Sequence, residues 1–578
     1  MKKIIESIPV RLPLLKTLRY YTRDDFRNDL NAGLTVTVML VPQGMAYAVL
    51  AGLPPVYGLY ASIVPLLVYA LFGTSRQLAV GPVAMVALLI LTGVGEFAEP
   101  GSSRFIQLAI TAALGVGIAQ LLMGVFRMGF LVNFLSHPVL SGFTSAAAII
   151  IGASQISSLL GIDSAGGSHV HTVLLNLVEH FGDVDPITTL IGFGSVAVIY
   201  TFKKWKPSVP SALLVVAGGT LFTALFQLQE RGVAIVGEVP KGLPGIVTGA
   251  FSVSDLELLL PMILVISLVG YMESIAVAKA IANKRGYNID PNQELIALGS
   301  ANIAGSLFQS FPVTGGFSRT AVNDQAGAIS TLASVITALL IGVTVLFLTP
   351  LFYYLPKAVL AAIIVVAVAG LFDFREARHL WKSDRRDLLM LLATFVSTLL
   401  FGIEEGILTG VVLSLVLVIY SSSRPHQAEL GRLGKTRNFR NIERYNEAKT
   451  DPAILIYRFD SSLFFANIEH FRETIHRRVR SRGKELKLVI LDASAIHEID
   501  SSGIQALQKL VDELREHRID LYLAGVIGPV RDRLKLSGAL QKIGKENFFF
   551  DVAEAVDFLD QQGKGSENRT FSPYQSNW

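Results

Sequence analysis

Across 578 residues the chain has no cysteine. That absence excludes disulfides, thiolate metal sites and thiol catalysis, and carries no information about compartment. Charge is also scarce: 17% of the residues are Asp, Glu, Lys or Arg, against about 25% in soluble domains. The side chains that would solvate an ordinary surface are missing. The net charge is only +4, which reflects loop residues set by membrane topology better than nucleic-acid binding. Residues 1–27 are charged and lack an early apolar stretch and a small-residue cleavage site, so no cleavable signal peptide is expected. No catalytic constellation appears either. His137, His169, His171 and His180 lie in or near loops without metal-ligand spacing, and no Gly-rich piece has a phosphate-loop pattern. The expectation is a protein that is not an enzyme, with no cofactor and no metal.

What is present is apolar length. Hydrophobic residues make up 51% of the chain, and the mean hydropathy is +0.50. Between residues 30 and 420 apolar runs of about 17 to 25 residues follow one another, each able to cross ~30 Å of hydrocarbon. Breaking them at Gly, Pro and charge predicts about fourteen segments, near 30–50, 56–73, 77–96, 105–126, 130–153, 186–202, 209–228, 256–282, 291–308, 311–325, 329–348, 350–371, 386–401 and 403–420. With a cytoplasmic N-terminus, the inner loops hold Arg76, Arg127, the trio Lys203, Lys204 and Lys206, the pair Lys284 and Arg285, and a cluster from Arg375 to Arg386. The longest outer loop, residues 154–185, has no Lys or Arg. The positive-inside rule and the even count agree: a multi-pass protein of the cell's inner (plasma) membrane is expected, with both termini cytoplasmic.

Two segments are interrupted in the same way. Gln77-Leu78-Ala79-Val80-Gly81-Pro82-Val83-Ala84 puts an extended pre-proline glycine before a helix, with Pro82 suited to its first turn. Phe311-Pro312-Val313-Thr314-Gly315-Gly316-Phe317-Ser318-Arg319 repeats the plan, with Ser318 expected as the cap. These are the third and tenth of fourteen segments, hence third in each half of seven. That is the pattern of transporters built from inverted repeats, whose substrate sits between two broken helices. Each helix start offers unpaired N–H groups and a positive dipole end, an anion site made without side-chain charge. The competing reading is that Gly and Pro merely kink two helices.

Three further positions join the candidate site. Arg319 is a cation inside a membrane segment, functional by default unless it snorkels or pairs structurally. Glu273 sits well inside the eighth segment, where charge is costly. It is expected to take up and release a proton during transport, or else to serve as a fixed partner of Arg319. Gln43 and Tyr47 share one helix face at i,i+4; the alternative for Gln43 is packing glue between helices.

The run Pro55-Val56-Tyr57-Gly58-Leu59-Tyr60-Ala61-Ser62, with Leu67-Val68-Tyr69 and Gly73-Thr74-Ser75-Arg76, resembles the signature of the sulfate permease (SulP) family. Pro42-Gln43-Gly44-Met45-Ala46-Tyr47, Asn292-Gln293-Glu294-Leu295, Gly305-Ser306 and Phe317-Ser318-Arg319 resemble it too. The resemblance implies a mostly α membrane domain of about fourteen transmembrane segments in two inverted repeats of seven, split into core and gate subdomains. It also implies a homodimer working by an elevator-like movement. The implied substrate site comprises Gln43, Tyr47, Val83, Ala84, Gly316, Phe317, Ser318 and Arg319, with Glu273 at the position linked to proton coupling. Ala276 and Val277 stand where hydroxyls would help hold sodium, so protons are expected ahead of sodium.

From residue 421 onward charge is frequent and the runs shorten. Residues 453–459, 486–492 and 519–525 read as strands and 504–516 as an amphipathic helix, a small α/β domain. Ile499-Asp500-Ser501-Ser502-Gly503 resembles the STAS domain, in which the residue matching Ser502 is a phosphorylation site in bacterial antagonists. Serine at such a junction is otherwise a helix cap. The expected organisation is a cytoplasmic N-terminal segment (1–28), a transport domain (29–420), a linker (421–450), a cytoplasmic STAS domain (451–560) that a regulatory protein could bind, and a disordered tail (561–578).

The expected function is secondary active transport of a small anion, with proton-coupled sulfate uptake first. Bicarbonate or dicarboxylate transport, or an uncoupled anion exchanger or channel, stay open, because backbone dipoles and one Arg read charge and size more than identity. A membrane signalling receptor is disfavoured by the two matched broken helices.

Overall fold

A computed structural model describes residues 13–18, 21–130, 136–162, 175, 177–206, 210–247 and 251–562. His169, His171 and residues 563–578 of the tail expected to be disordered from 561 lie outside the described residues, while 561 and 562 end a helix that begins at Val552. The chain forms two compact units, Met1–Ser414 and Leu415–Trp578.

The first unit is helical, and each expected segment holds one principal helix, the second of them also a short helix at Val56–Tyr60. The principal helices are α1 (Arg23–Leu50), α2 (Val64–Phe72), α3 (Ala84–Gly95), α4 (Ser103–Val125), α5 (His137–Ser154), α6 (Pro186–Trp205) and α7 (Ser211–Phe226) in the first half. The second half has α8 (Leu260–Arg285), α9 (Pro291–Leu307), α10 (Phe317–Gln325), α11 (Leu332–Val343), α12 (Lys357–Val368), α13 (Arg385–Phe401) and α14 (Ile403–Ser423). Among the described residues seven helices are long and apolar enough to cross a bilayer, with four shorter apolar ones beside them. Two-residue strands β1 (Val80–Gly81) and β2 (Thr314–Gly315) precede α3 and α10. They pair antiparallel, Val80 opposite Gly315 and Gly81 opposite Thr314. The third and tenth segments therefore run toward each other, as extended strands that each turn into a half-length helix.

The helices sort into two groups. α1 packs on α10 and α11, α9 on α2 and α4, and α8 on α3 and α4; separately, α13 packs on α5, and α6 on α7 and α12. Within the first group the backbones nearly touch. A Cβ on Gly117 of α4 would lie 2.6 Å from the Ile303 nitrogen, and one on Gly299 of α9 2.5 Å from the Leu121 nitrogen. Buried carboxylates staple its loops. Asp29 accepts from the Ile329 and Ser330 amides at 2.7 and 3.1 Å. Glu294 accepts from Tyr69 at 2.8 Å and from the Thr74 and Ser75 amides at 2.6 and 3.0 Å.

The second unit carries a mixed sheet in the order β4-β3-β6-β7-β8-β9, with β5 also on β3. Its strands are β3 (Gln427–Leu433), β4 (Phe439–Asn441), β5 (Ala448–Lys449), β6 (Ile454–Phe459), β7 (Leu488–Asp492), β8 (Asp520–Ala524) and β9 (Phe548–Phe549). β6 through β9 are parallel and β3 meets its neighbours antiparallel. Period-two alternation builds two cores. Leu455, Tyr457 and Phe459 pack under α15 (Ile468–Arg482) and α16 (Ser501–Glu516). Ile454, Ile456 and Ile490 pack under a helix at Val552–Gln562. The stretch 421–450, expected to be a linker, instead completes α14 and supplies β3, β4 and β5. Its Arg, Lys and Glu residues alternate with few apolar ones, so sequence alone reads these strands as loop, although β3 is paired on both sides.

The helix starts also differ from expectation. Gly316, not Ser318, is the cap residue of α10, and Ser318 is the helix's second residue with no capping bond. Pro82 precedes the cap Val83 rather than entering the first turn of α3. Asp500 caps α16 by accepting from the Gly503 amide at 2.7 Å. Neither Ser501 nor Ser502 is the cap, because the carboxylate one position earlier already takes that amide.

Candidate functional site

The site starts from the backbone. The first intrahelical bonds are Ala87 N–H to Val83 O (2.9 Å) in α3 and Thr320 N–H to Gly316 O (3.0 Å) in α10. The amides of Ala84, Met85 and Val86, and of Phe317, Ser318 and Arg319, thus have no helical acceptor. Two sets of donors with their dipole ends meet across the β1–β2 pair. Glycine is required at Gly81 by its φ of 156° and at Gly316 by what lies over it. A Cβ on Gly316 would sit 2.8 Å from Arg319 Nη2, and one on Gly81 3.5 Å from it.

Arg319 is 1% exposed and crosses to the other half, donating from Nη1 to the Pro82 carbonyl at 2.5 Å. Its Nε and Nη2 are buried without a hydrogen-bond partner. Glu273 and Tyr47 lie close enough to act electrostatically on it. No salt bridge joins Glu273 to Arg319 among the described residues, and Glu273 Oε2 is buried without a partner. The fixed Arg319–Glu273 pair allowed by the sequence is therefore not formed. Gln43 donates to the Tyr47 hydroxyl at 3.0 Å, and its Oε1 is unpartnered and buried. Orphaned buried polar atoms are costly, about 1–3 kcal/mol each. Here four converge from α1, α8 and α10, with both donors and acceptors among them.

The structure thus brings together Gln43, Tyr47, Val83, Ala84, Glu273, Gly316 and Arg319. Phe317 and Ser318 contribute their backbone amides, while their side chains are exposed. Ser274 of α8 is already engaged: its hydroxyl bonds Thr314 Oγ1 at 2.6 Å and accepts from the Gly315 amide at 2.8 Å.

Sequence reading missed the scaffold under the broken segment. Asn302 of α9 accepts from the Val313 amide at 2.8 Å and donates to the Val313 carbonyl at 3.0 Å. Gln120 of α4 accepts from Asn302 at 3.1 Å. Thr320 accepts from the Ala79 amide at 3.1 Å, and Asn323 donates to the Gln77 carbonyl at 2.8 Å, tying α10 to the strand of the other half. The available signal was an amide side chain inside each of two apolar segments.

Comparison with known proteins agrees with this architecture. The model described as "Sulfate permease family" matches residues 26–394, and "STAS domain" matches residues 445–555. Sulfate transporter 4.1, chloroplastic, of Arabidopsis thaliana is 41% identical over 96% of this chain and 83% of its own length. High affinity sulfate transporter 2 of Stylosanthes hamata is 36% identical over 96% of this chain and 87% of its own. The solved structure of the murine solute carrier 26 family member A9 anion transporter, in its inward-facing state, superposes with a TM-score of 0.89. It is 26% identical and covers 97% of this chain and 95% of its own. The transmembrane domain of a cyanobacterium bicarbonate transporter shares the fold at 24% identity and a TM-score of 0.60, covering 68% of this chain and 98% of its own. This is a multi-pass membrane protein with a C-terminal STAS domain, and the chain belongs to the sulfate permease family.

Proposed function

We propose that the protein is a secondary transporter that takes up sulfate together with protons, using the pocket between α3 and α10. The observation that carries this reading is the set of buried, unpartnered atoms on Gln43, Glu273 and Arg319, gathered where two helix N-termini face each other. A small oxyanion supplies acceptors to Arg319 Nε and Nη2 and to the free amides, relieving the orphaned donors. Sulfate is preferred over bicarbonate or a dicarboxylate because the curated relatives named above are sulfate transporters. Glu273, unpaired in the same pocket, is the proton carrier, and a protonated carboxyl there also offsets the charge brought in by the anion. Sodium is disfavoured because the Ser274 hydroxyl is engaged with β2. Residues 29–420 are the transport domain, moving as core against gate, elevator-fashion, in a homodimer in the plasma membrane with both termini cytoplasmic. Ser502, half-buried in the first turn of α16, is a candidate phosphorylation site through which a regulatory protein acts.

Uptake of labelled sulfate, bicarbonate and fumarate into proteoliposomes, with and without an inward proton gradient, tests the reading. Sulfate uptake that rises with the gradient and outruns the other two is expected. Uptake indifferent to the gradient favours the uncoupled exchanger or channel, and preference for bicarbonate or fumarate replaces the substrate.

A further inference from the structure

Between α12 and α13 the chain forms a ten-residue helix, Phe374–Ser383, that plays no part in the transport pocket. One seam of it is buried, with Ala377 and Leu380 packed against Leu388 and Leu391 of α13. Its open face is sorted by side-chain type. At about 100° per residue, Trp381 and Phe374 share one edge of that face, and Arg378, Lys382 and Arg375 follow in turn around it. Phe374 is 70% and Trp381 72% exposed, and the three cations beside them are exposed as well. A second segment brings the same combination. α6 ends in Lys203, Lys204 and Trp205, with Lys206 after it, all exposed and Trp205 by 78%. The two segments are neighbours, since a Cβ on Gly370, just before the helix, would lie 3.9 Å from Lys203 Nζ.

The acids nearby are occupied elsewhere. Asp373 caps the helix by accepting from the Arg375 amide at 2.9 Å, Asp384 caps α13 by accepting from the Arg386 amide at 2.7 Å, and Glu376 lies 3.4 Å from His137 Nδ1. Among the described residues none of Arg375, Arg378, Lys382, Lys203, Lys204 and Lys206 has an acidic partner. Water penalises the open rings, and hydrocarbon penalises the cations. Only the boundary between acyl chains and headgroups accommodates both, the rings entering the first and the cations meeting the second. The ends of α6 and α12 place these segments at that boundary. Headgroup charge then decides the lipid: a zwitterionic headgroup carries its own cation and leaves these six unanswered, whereas an anionic one compensates them. We infer that the helix Phe374–Ser383, together with the end of α6, is a binding site for the headgroup of an anionic phospholipid. Arg378, Lys382 and Lys203 hold the headgroup, and Phe374 and Trp381 sit in the acyl boundary. The site stands apart from the pocket between α3 and α10 and does not depend on the transport reading. Because Leu380 packs on α13, a lipid held here grips the second group of helices and not the group that carries the pocket.

The test uses the full chain in nanodiscs of mixed phosphatidylcholine and phosphatidylglycerol. Trp205→Phe and Trp578→Phe leave Trp381 as the single tryptophan. Its fluorescence quenching is compared when one lipid or the other carries brominated acyl chains at equal mole fraction. Stronger quenching by brominated phosphatidylglycerol is expected, with the preference lowered about fivefold for each cation removed by Arg378→Gln and Lys382→Gln. Both substitutions are at exposed positions outside the buried seam. Equal quenching by the two lipids reduces the surface to ordinary bilayer contact and overturns the site. Absence of quenching by either lipid means that another copy or another part of the chain covers this face, and overturns it too. A preference unchanged in both variants does the same.

Discussion

At the scale of single residues, the proposed transport site gives two jobs to one side chain, Arg319. Nη1 fixes the other half of the pocket through the Pro82 carbonyl, while Nε and Nη2 stay free for a ligand. Lysine cannot do both, since a single ammonium lacks the fork that reaches two targets in fixed geometry. Arg319→Lys is therefore expected to weaken sulfate binding about tenfold or more, and Arg319→Ala at least as much, read by calorimetry on the purified protein. Wild-type affinity in the lysine variant would show that the fork is not used. Glu273 makes a different prediction. Glutamine resembles the protonated carboxyl but cannot release a proton, so Glu273→Gln should abolish gradient-driven uptake while sulfate binding and sulfate–sulfate exchange persist. A variant that still concentrates sulfate in response to a proton gradient removes Glu273 from coupling.

At the scale of elements, the interrupted segment before α10 is held by a side chain from another helix. Asn302 pairs with both the N–H and the C=O of Val313, replacing the backbone partner that a two-residue strand cannot supply there. Asn302→Ala leaves both groups buried and unpaired, a cost of roughly 2–4 kcal/mol. Expected are a lower melting temperature and weaker sulfate binding together; unchanged binding would mean that β2 holds its shape without the clamp. α16 shows the same dependence on one cap. Asp500→Ala should cost about 1 kcal/mol locally and speed amide exchange at Gly503, whereas Ser502→Ala should leave it unchanged. Faster exchange in the serine variant alone would reverse the assignment. These two elements also mark how far the sequence could be read. The broken helices were legible because Gly and Pro interrupt apolar runs at matching places, and Arg319 and Glu273 because charge is rare there. The caps were misplaced by one or two residues, since Gly316 caps with its backbone alone and Asp500 competes with two serines beside it. Asn302 and Gln120 stayed hidden because their partners are backbone groups distant in sequence. β3 to β5 stayed hidden because these charged strands lack the apolar runs that identify β6 and β7.

At the scale of the whole membrane unit, two kinds of contact divide the helices. Within the group of α1 to α4 and α8 to α11, polar staples and glycine contacts fix neighbours rigidly. Besides Asp29 and Glu294, Asp324 of α10 binds Lys284 and Arg285 at the end of α8, at 2.8 and 2.6 Å. The helix bearing Arg319 and the helix bearing Glu273 are thereby tied together. The other group reaches this one differently. α1 meets α7 and α12, and α12 presents Val359, Leu360, Ala361, Ala362, Ile363 and Ile364, all buried. Among the described residues no hydrogen bond joins α1 to α7 or α12. Aliphatic surfaces without directional bonds can slide at little cost, whereas a stapled set must move as one body. The pocket, carried wholly by the stapled group, would then travel past α7 and α12 with its anion. The cysteine-free sequence makes this directly testable, because any introduced pair is the only thiol pair present. An oxidised cysteine pair between α1 and α12 should stop sulfate uptake, and reduction should restore it. A pair along the α4–α9 crossing should leave uptake intact, because sliding of the whole group would keep those two helices in place. Full uptake with α1 and α12 locked together would rule out this sliding movement and confine transport to local opening around α3 and α10.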